Sequence, residues 1–400
     1  MADRIKGKAV VGQSGGPTMV INQSLVGVIE QVRKYGEITG LLGAHHGVRG
    51  IVNEDFIPLD TVDQKTLEAV AVTPSAGLGS TRDKPDADYC QKIFNVFQKN
   101  DVRYFFYIGG NDSADTANIV NQLAGRSGYD LRVYHIPKTI DNDLRVTDHC
   151  PGFGSAAKFV ISAFMGDDMD NRSLPGIKIN VVMGRNAGFL TAASMLARVR
   201  QDAGPHLIYV PEVNFDEGTF LKDVDAVMKK YNRCVVAVSE GIHDKEGNAI
   251  TTKIASLQER DAHGNVQLSG TGALGDFLSE HIKTNLGKKL RVRADTFGYL
   301  QRSFAGIYSE VDAREARLVG QKAVDYAVGE GKSGSVAIKR VGNGSKYAID
   351  TFPTELTSVA RETKPLPAEY ISPEGNNIND TFRDYVAPLV GKLPMIGYLI

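Results

Sequence analysis

The sequence predicts an α/β fold built on parallel sheets, and three observations carry that expectation. Short apolar, strand-like runs alternate with amphipathic helical stretches along most of the chain, the pattern of strands joined by crossover helices on both faces of a sheet. The runs stop abruptly at Gly, Asn, Asp and Ser, residues that break strands and start turns. Polar clusters sit at those stops, and open α/β sheets bind ligands outside the C-terminal ends of their strands.

In chain order, Ala9-Val10-Val11-Gly12 reads as a first strand, Ser14-Gly15-Gly16-Pro17 as a turn, and Met19 to Lys34 as an amphipathic helix. Strands follow at Glu37 to Leu42, Arg103 to Ile108 and Arg132 to Ile136, with helices near Asp86 to Gln98 and Ser113 to Leu123. The alternation continues through a strand at Lys178 to Met183, a helix at Gly188 to Val199 and a strand at His206 to Val210. A helix at Phe220 to Lys230 and a strand at Arg233 to Val238 complete it. This organisation predicts a larger doubly wound unit over residues 1–145 and a second, smaller α/β unit over 146–330. Asp244 to Gly270, rich in Gly, Thr, Asp and Gln, reads as a hairpin or mobile insertion. The tail from Thr351 to Ile400 carries six of the fifteen prolines. A C-terminal segment over 331–400 is therefore expected to pack back on the body or cover an interface.

Composition removes several functions. With 42% hydrophobic and 23% charged residues the chain is that of a globular protein. A net charge of −1 leaves no basic excess for nucleic acid. No apolar run of about 18 residues predicts a membrane span. The N-terminal MADRIKGKAVVG has no apolar signal core. Cys90, Cys150 and Cys234 lie too far apart for CxxC spacing, so a reducing cytoplasm is the expected setting. His45-His46 has no third ligand placed by the sequence, and a solvated or pocket-edge role is expected.

Two segments point to chemistry. In FFYIGGNDSADTA (Phe105 to Ala117), a buried strand runs into Gly109-Gly110, and Asn111, Asp112 and Ser113 stand where a helix begins. Free backbone N–H groups at such a start favour phosphate. In IPKTIDND (Ile136 to Asp143), Lys138 precedes two aspartates spaced two apart. A phosphate cradle beside paired carboxylates and a cation is the equipment of phosphoryl transfer.

With these two segments the chain resembles the phosphofructokinase family, and within it the pyrophosphate-dependent branch. SGGPTMVIN (Ser14 to Asn22) resembles the family's N-terminal phosphate turn, and LGSTR (Leu78 to Arg82) its basic loop. MGRNAGFLT (Met183 to Thr191) resembles its sugar-phosphate signature and SEG (Ser239 to Gly241) its ligand-gripping glutamate. RADTFGYLQR (Arg293 to Arg302) resembles the segment that closes the sugar-phosphate pocket. The resemblance covers roughly the first three quarters of the chain; nothing after about Leu318 carries a motif. It implies two doubly wound, Rossmann-like three-layer α/β domains with the active site in the cleft between them, and a shared pocket in a homodimer or homotetramer.

By that resemblance Asp141 is the base that takes the proton from the sugar's 1-hydroxyl, and Thr139 orients the acceptor. Asp143 suits Mg²⁺, and it points the same way as Asp141 if the chain stays extended. Gly15, Gly16, Arg82, Gly110, Asp112, Ser113 and Lys138 would hold the donor. Thr139, Ile140, Asp141, Met183, Gly184, Arg185, Glu240, Tyr299 and Arg302 would hold the sugar phosphate, with Arg293 arriving from a neighbouring subunit. Arg185, Lys138 and Asp112 join Asp141 and Thr139 in the catalytic set. Asn111, Asp112 and Asp143 are the metal candidates, although the family usually has aspartate where this chain has Asn111. A second family arginine is missing too, its place taken by Gly176, with Lys178 the nearest cation in sequence.

Asp112 and Lys138 decide the donor. ATP-using relatives have glycine at the first position and a small residue at the second. A carboxylate fills the room a nucleotide's α-phosphate needs and repels it, while an ammonium can neutralise the pyrophosphate leaving group. The expected reaction is reversible, Mg²⁺-dependent transfer from pyrophosphate to fructose 6-phosphate, giving fructose 1,6-bisphosphate and phosphate, as in glycolysis and gluconeogenesis. The rival readings are an ATP-dependent 6-phosphofructokinase and a non-catalytic sugar-phosphate-sensing subunit. No GxGxxG follows the first strand, which sets an NAD-binding oxidoreductase aside.

Overall fold

The computed structural model describes residues 5–254, 271–360 and 362–399. Its elements run β1 (Gly7–Gln13), α1 (Ile21–Val32), β2 (Ile38–Ala44), α2 (Val48–Val52), β3 (Phe56–Pro58), α3 (Gln64–Ala71), α4 (Ala87–Lys99), β4 (Val102–Gly109), α5 (Asn111–Arg126) and β5 (Arg132–Pro137). They continue with α6 (Phe153–Ser173), β6 (Ile177–Val182), α7 (Phe189–Ala193), β7 (Leu207–Tyr209), α8 (Glu217–Tyr231), β8 (Cys234–Ser239), α9 (Ala273–Leu286) and β9 (Val292–Thr296). The last are α10 (Glu310–Gly329), β10 (Gly334–Gly342), β11 (Ala348–Thr354), α11 (Leu356–Val359) and α12 (Thr381–Val390). The chain divides into two compact units, Met1–Ser155 with Arg302–Lys364, and Ala156–Gln301 with Pro365–Ile400.

The first unit holds a seven-stranded sheet in the order β11-β10-β5-β4-β1-β2-β3. The five central strands are parallel, and only the two edge pairs, β2–β3 and β10–β11, are antiparallel. Successive side chains of a strand point to opposite faces, and the core divides accordingly. Val11, Tyr104, Phe106 and Ile108 pack with Leu25 and Ile29 of α1 and Val324 of α10. Val10, Phe105, Tyr107 and Val133 pack on the other face with Phe94 and Phe97 of α4 and Val120 of α5. Burial on both faces explains why FFYI reads as an unbroken apolar run. Helices α1 and α10 cross with backbones almost touching: a Cβ on Gly27 would lie 2.2 Å from the Arg317 carbonyl oxygen, and one on Gly320 2.2 Å from that of Ser24.

The second unit has a four-stranded, wholly parallel sheet in the order β7-β8-β6-β9. Ile179, Val181, Val236 and Val238 form its core with Phe220 of α8 and Leu278 of α9. Within this unit α12 sets Phe382 and Tyr385 beside Phe189 of α7, at ring separations of 6.5 and 6.1 Å.

The α/β reading and its parallel strands hold, with three differences of detail. The division into units differs from three consecutive segments because the chain after Arg302 returns to the first sheet. The proline-rich tail begins inside β11, and Pro353 is accommodated because β11 is an edge strand. The helix expected to reach Val199 ends as α7 at Ala193, followed by a 3₁₀ turn over Ser194–Ala197. A bridge between His243 and Ala249 opens the expected hairpin, while residues 255–270 of that stretch lie outside the described residues. Among the described residues no helix is long and apolar enough to cross a membrane. The three cysteines are buried and unbonded to one another.

Candidate functional site

Strands β5, β4 and β1 are neighbours, and in register their C-terminal ends coincide: Gln13 pairs with Ile108 and Gly109 with Pro137. The turns that follow them therefore meet. Gly15 takes φ +76°, a conformation that side chains other than glycine rarely adopt. Its N–H donates to the Thr81 carbonyl at 2.9 Å, and its carbonyl accepts from the Ser80 hydroxyl at 2.7 Å. The Lys138 ammonium donates to the Gly16 carbonyl at 2.8 Å. The Arg302 guanidinium lies against the same turn, its Cζ 3.1 Å from where a Gly16 Cβ would stand.

Lys138 is only 4% exposed. Burial, reinforced by the charges of Arg302 and Arg82 and opposed by those of Asp141 and Asp143, pulls its ammonium down to about 8. Seven residues named in advance thus gather around one turn: Gly15, Gly16, Arg82, Lys138, Asp141, Asp143 and Arg302. Arg302, expected at the sugar phosphate, stands in the structure beside Gly16, a residue expected to hold the donor.

The basic loop is tied down by side chains that sequence reading passed over. Gln13 and Asn22 are fully buried. Gln13 donates to the Asn22 side-chain oxygen at 3.0 Å and accepts from the Leu78 N–H at 2.8 Å. Asn22 accepts from the Gly77 N–H at 2.7 Å and donates to the Thr73 carbonyl at 3.0 Å. Two buried amides thus fix the loop that ends in Arg82. Their only sequence signal is an amide beside the glycine turn and another in the first helical turn.

The turn after Lys138 corrects one expectation. The chain is not extended from Asp141 to Asp143, because Asn142 takes φ +60°. Asparagine tolerates this left-handed conformation, and here its buried Oδ1 also accepts from the Cys150 N–H at 2.9 Å. The Thr139 N–H donates to Pro151 at 3.2 Å, and its hydroxyl oxygen accepts from the Asp141 N–H at 3.1 Å. The two carboxylates still interact. Burial first, and the Asp141 charge second, push Asp143 well above the usual carboxylate range. Their proximity comes from a turn, not from strand alternation. Ile140 is buried between them and Thr139 in sequence.

At the start of α5, the Asn111 side-chain oxygen accepts from the Asp112 N–H at 2.9 Å. The Asp112 carboxylate is exposed and lies 3.1 Å from the Lys84 ammonium. Ser113 is buried, and a Cβ on Gly109 would lie 2.0 Å from its hydroxyl oxygen. Gly110 has open space around it, the nearest atom to a Cβ being 3.8 Å away. Among the described residues no three His, Cys, Asp or Glu side chains gather as a metal would require, so Asp112 does not join Asp141 and Asp143 in one cluster. His45 is 3.0 Å from Asp55, and His46 3.2 Å from the Ser80 carbonyl.

In the second unit the residues expected to meet the acceptor cluster at the ends of β6 and β8, where Val182 pairs with Ser239. Gly184 takes φ +138°, and its carbonyl accepts from the Ser239 hydroxyl at 2.6 Å. The Glu240 N–H donates to Val182 at 2.9 Å. A Cβ on Gly241 would lie 2.0 Å from the Arg185 carbonyl oxygen, so the SEG and MGR turns are in contact. Gln301, buried and unread in the sequence, accepts from the Met183 N–H at 3.2 Å and donates to Gly298 at 2.8 Å. That bond brings in the segment bearing Tyr299, which is 51% exposed. Arg293 stands apart. It pairs in register with Lys178, five residues before Met183, or roughly 16 Å along the strand, and is exposed on the edge strand β9. Lys178 is engaged by Asp295 and Asp167.

The family model for phosphofructokinase matches residues 8–327. A pyrophosphate–fructose 6-phosphate 1-phosphotransferase of Rhodospirillum rubrum is 56% identical over 387 residues, covering 97% of this chain and 95% of its own. Its namesake from Halomonas elongata is 37% identical, covering 96% and 91%. The crystal structure of a pyrophosphate-dependent phosphofructokinase from Nitrosospira multiformis superposes with a TM-score of 0.85 at 34% identity, covering 98% of this chain and 94% of that one.

Proposed function

Because the chain belongs to the phosphofructokinase family, in its pyrophosphate-dependent branch, and is a phosphotransferase, we propose that it moves a phosphoryl group from pyrophosphate to the 1-hydroxyl of fructose 6-phosphate. The products are fructose 1,6-bisphosphate and phosphate. The observation that carries this reading is the buried Lys138 ammonium held on the Gly15-Gly16 turn, with Arg82 and Arg302 close enough to depress it. Three cations gathered at one glycine turn fit a compact polyanion.

Asp141 takes the proton of the attacking hydroxyl, and Thr139 fixes the Asp141 backbone through its hydroxyl. Lys138 and Arg82 stabilise charge on the leaving phosphate, with Gly15, Gly16, Gly110 and Ser113 presenting backbone close to the donor. On the acceptor side Glu240 accepts from sugar hydroxyls, and Arg185 and Tyr299 meet the phosphate ends. Arg293, exposed on an edge strand, serves a neighbouring copy in a homodimer or homotetramer.

The residues fit a hard divalent cation at one point. Asp141 and Asp143 crowd two carboxylates together, and burial raises Asp143 further, a cost that a cation relieves. Mg²⁺ commonly takes only one or two protein carboxylates beside phosphate oxygens. Asp143 would hold it with Asp141 adjacent, and when bound it would neutralise charge on the transferring group. Asn111 would reach it only through water, and Asp112, paired with Lys84, lies outside that pair of carboxylates. The phosphoanhydride broken and the phosphate ester formed are comparable in energy, so the reaction runs both ways and serves both breakdown and synthesis of hexose phosphates, as glycolysis and gluconeogenesis require, in the cytoplasm.

The test is direct: purified protein, fructose 6-phosphate and Mg²⁺ with either pyrophosphate or ATP. Fructose 1,6-bisphosphate formed from pyrophosphate supports the reading, and turnover with ATP alone replaces it by the ATP-dependent kinase. Turnover with neither donor would favour a sensing subunit, against which the intact Asp141 counts.

A further inference from the structure

The stretch from Ser80 to Asp86 belongs to no helix or strand, yet its middle is firmly held. The Asp83 carboxylate accepts from the Arg49 guanidinium at 2.6 and 3.3 Å and from the Tyr89 hydroxyl at 2.9 Å, while its N–H donates to the Thr81 hydroxyl oxygen at 3.1 Å. The residues on either side of Asp83 are exposed. Of these, Arg82 makes no hydrogen bond or ion pair among the described residues and acts electrostatically on Lys138. Lys84 places its ammonium 3.1 Å from the Asp112 carboxylate, the second residue of α5. Neither Lys84 nor Asp112 has another charged partner among the described residues.

A bare carboxylate at that position would oppose any phosphate approaching the helix start, since it offsets the positive end of the helix. The ion pair changes this. It keeps the bulk of the Asp112 side chain in place while cancelling its charge. We propose that Lys84 is a specificity-determining residue for the phosphoryl donor, acting through Asp112. The pair is a neutral plug that leaves room for a diphosphate and none for the nucleoside part of a triphosphate. This rests on the pyrophosphate reading above. Both side chains are half exposed, at 52% and 60%, so the pair contributes little to folding, and its loss is readable in donor kinetics alone.

The experiment compares wild type, Lys84→Ala, Lys84→Arg, Asp112→Asn and the Lys84→Ala/Asp112→Asn double variant, with fructose 6-phosphate saturating. Lys84→Ala uncovers the carboxylate and should raise KM for pyrophosphate roughly three- to tenfold, with kcat and KM for fructose 6-phosphate unchanged. Lys84→Arg should restore the wild-type value. In the Asp112→Asn background, with no charge left to cover, adding Lys84→Ala should change KM for pyrophosphate by less than about twofold. An unchanged KM in Lys84→Ala, or an equal rise in both backgrounds, would overturn the proposal. A wild-type protein without pyrophosphate turnover would instead overturn the donor reading beneath it.

Discussion

Lys138 offers a prediction whose size can be worked out. Its ammonium is pulled from an ordinary 10.5 to about 8 by burial and by the Arg302 and Arg82 charges. Only the charged form offers a countercharge to phosphate. At pH 7 about nine tenths of the free protein carries it, and at pH 9 about one tenth. The account therefore predicts that log kcat/KM for pyrophosphate falls with unit slope above pH ~8. Pyrophosphate has ionisations of its own, so Lys138→Arg is the control. A guanidinium stays charged across this range, and the limb due to residue 138 should vanish even if overall activity falls. Stability gives a second reading. The lowered value corresponds to roughly 3 kcal/mol against the buried ammonium. Between about pH 8 and 10.5 the unfolded chain binds more protons at this residue than the folded one, so its cost to stability is full below pH 8 and is relieved as pH rises. Urea unfolding of wild type relative to Lys138→Met should therefore gain with pH across that window. An alkaline limb identical in wild type and Lys138→Arg would refute the reasoning.

Other outcomes follow from the same geometry. Asp141→Asn should lower kcat by about 10²–10⁴ with KM for fructose 6-phosphate nearly unchanged, as loss of a general base requires; near-normal turnover would remove Asp141 from that role. Removal of divalent cations by a chelator should abolish turnover and added Mg²⁺ restore it, since burial and the neighbouring Asp141 charge both work against an ionised Asp143; full activity in the chelator would exclude the metal. Two glycines should respond oppositely in urea denaturation. Gly27→Ala drives a methyl into the Arg317 backbone and should destabilise by ~2–4 kcal/mol. Gly166→Ala in α6, with open space around it, should stabilise by ~0.5–1 kcal/mol.

What was legible in the sequence was what repeats locally. Parallel strands buried on both faces announce themselves as apolar runs, and glycine-rich turns mark their ends, so the turns at Gly15, Gly110 and Lys138 could be located in advance. Contacts over long separations could not. The crossing of α10 on α1 depends on Gly27 and Gly320, which are nearly 300 residues apart and carry no motif. Arg302 was read from its own segment alone, and its place against Gly16, a turn far away in sequence, could not be foreseen. Asp141 and Asp143 were expected side by side for the wrong geometric reason, since Asn142 bends the chain left-handed. Lys84, an ordinary loop lysine by sequence, acquires its interest only from lying 3.1 Å from Asp112.

The central claim is that Asp112 and Lys138 set the donor. The measurement that tests it most directly is the ratio of kcat/KM for pyrophosphate to that for ATP, in wild type and in Asp112→Gly/Lys138→Gly, at one fructose 6-phosphate and Mg²⁺ concentration. The account predicts a ratio far above one in the wild type and a fall of roughly a hundredfold or more in the double variant. A ratio that stays the same in both proteins would contradict it.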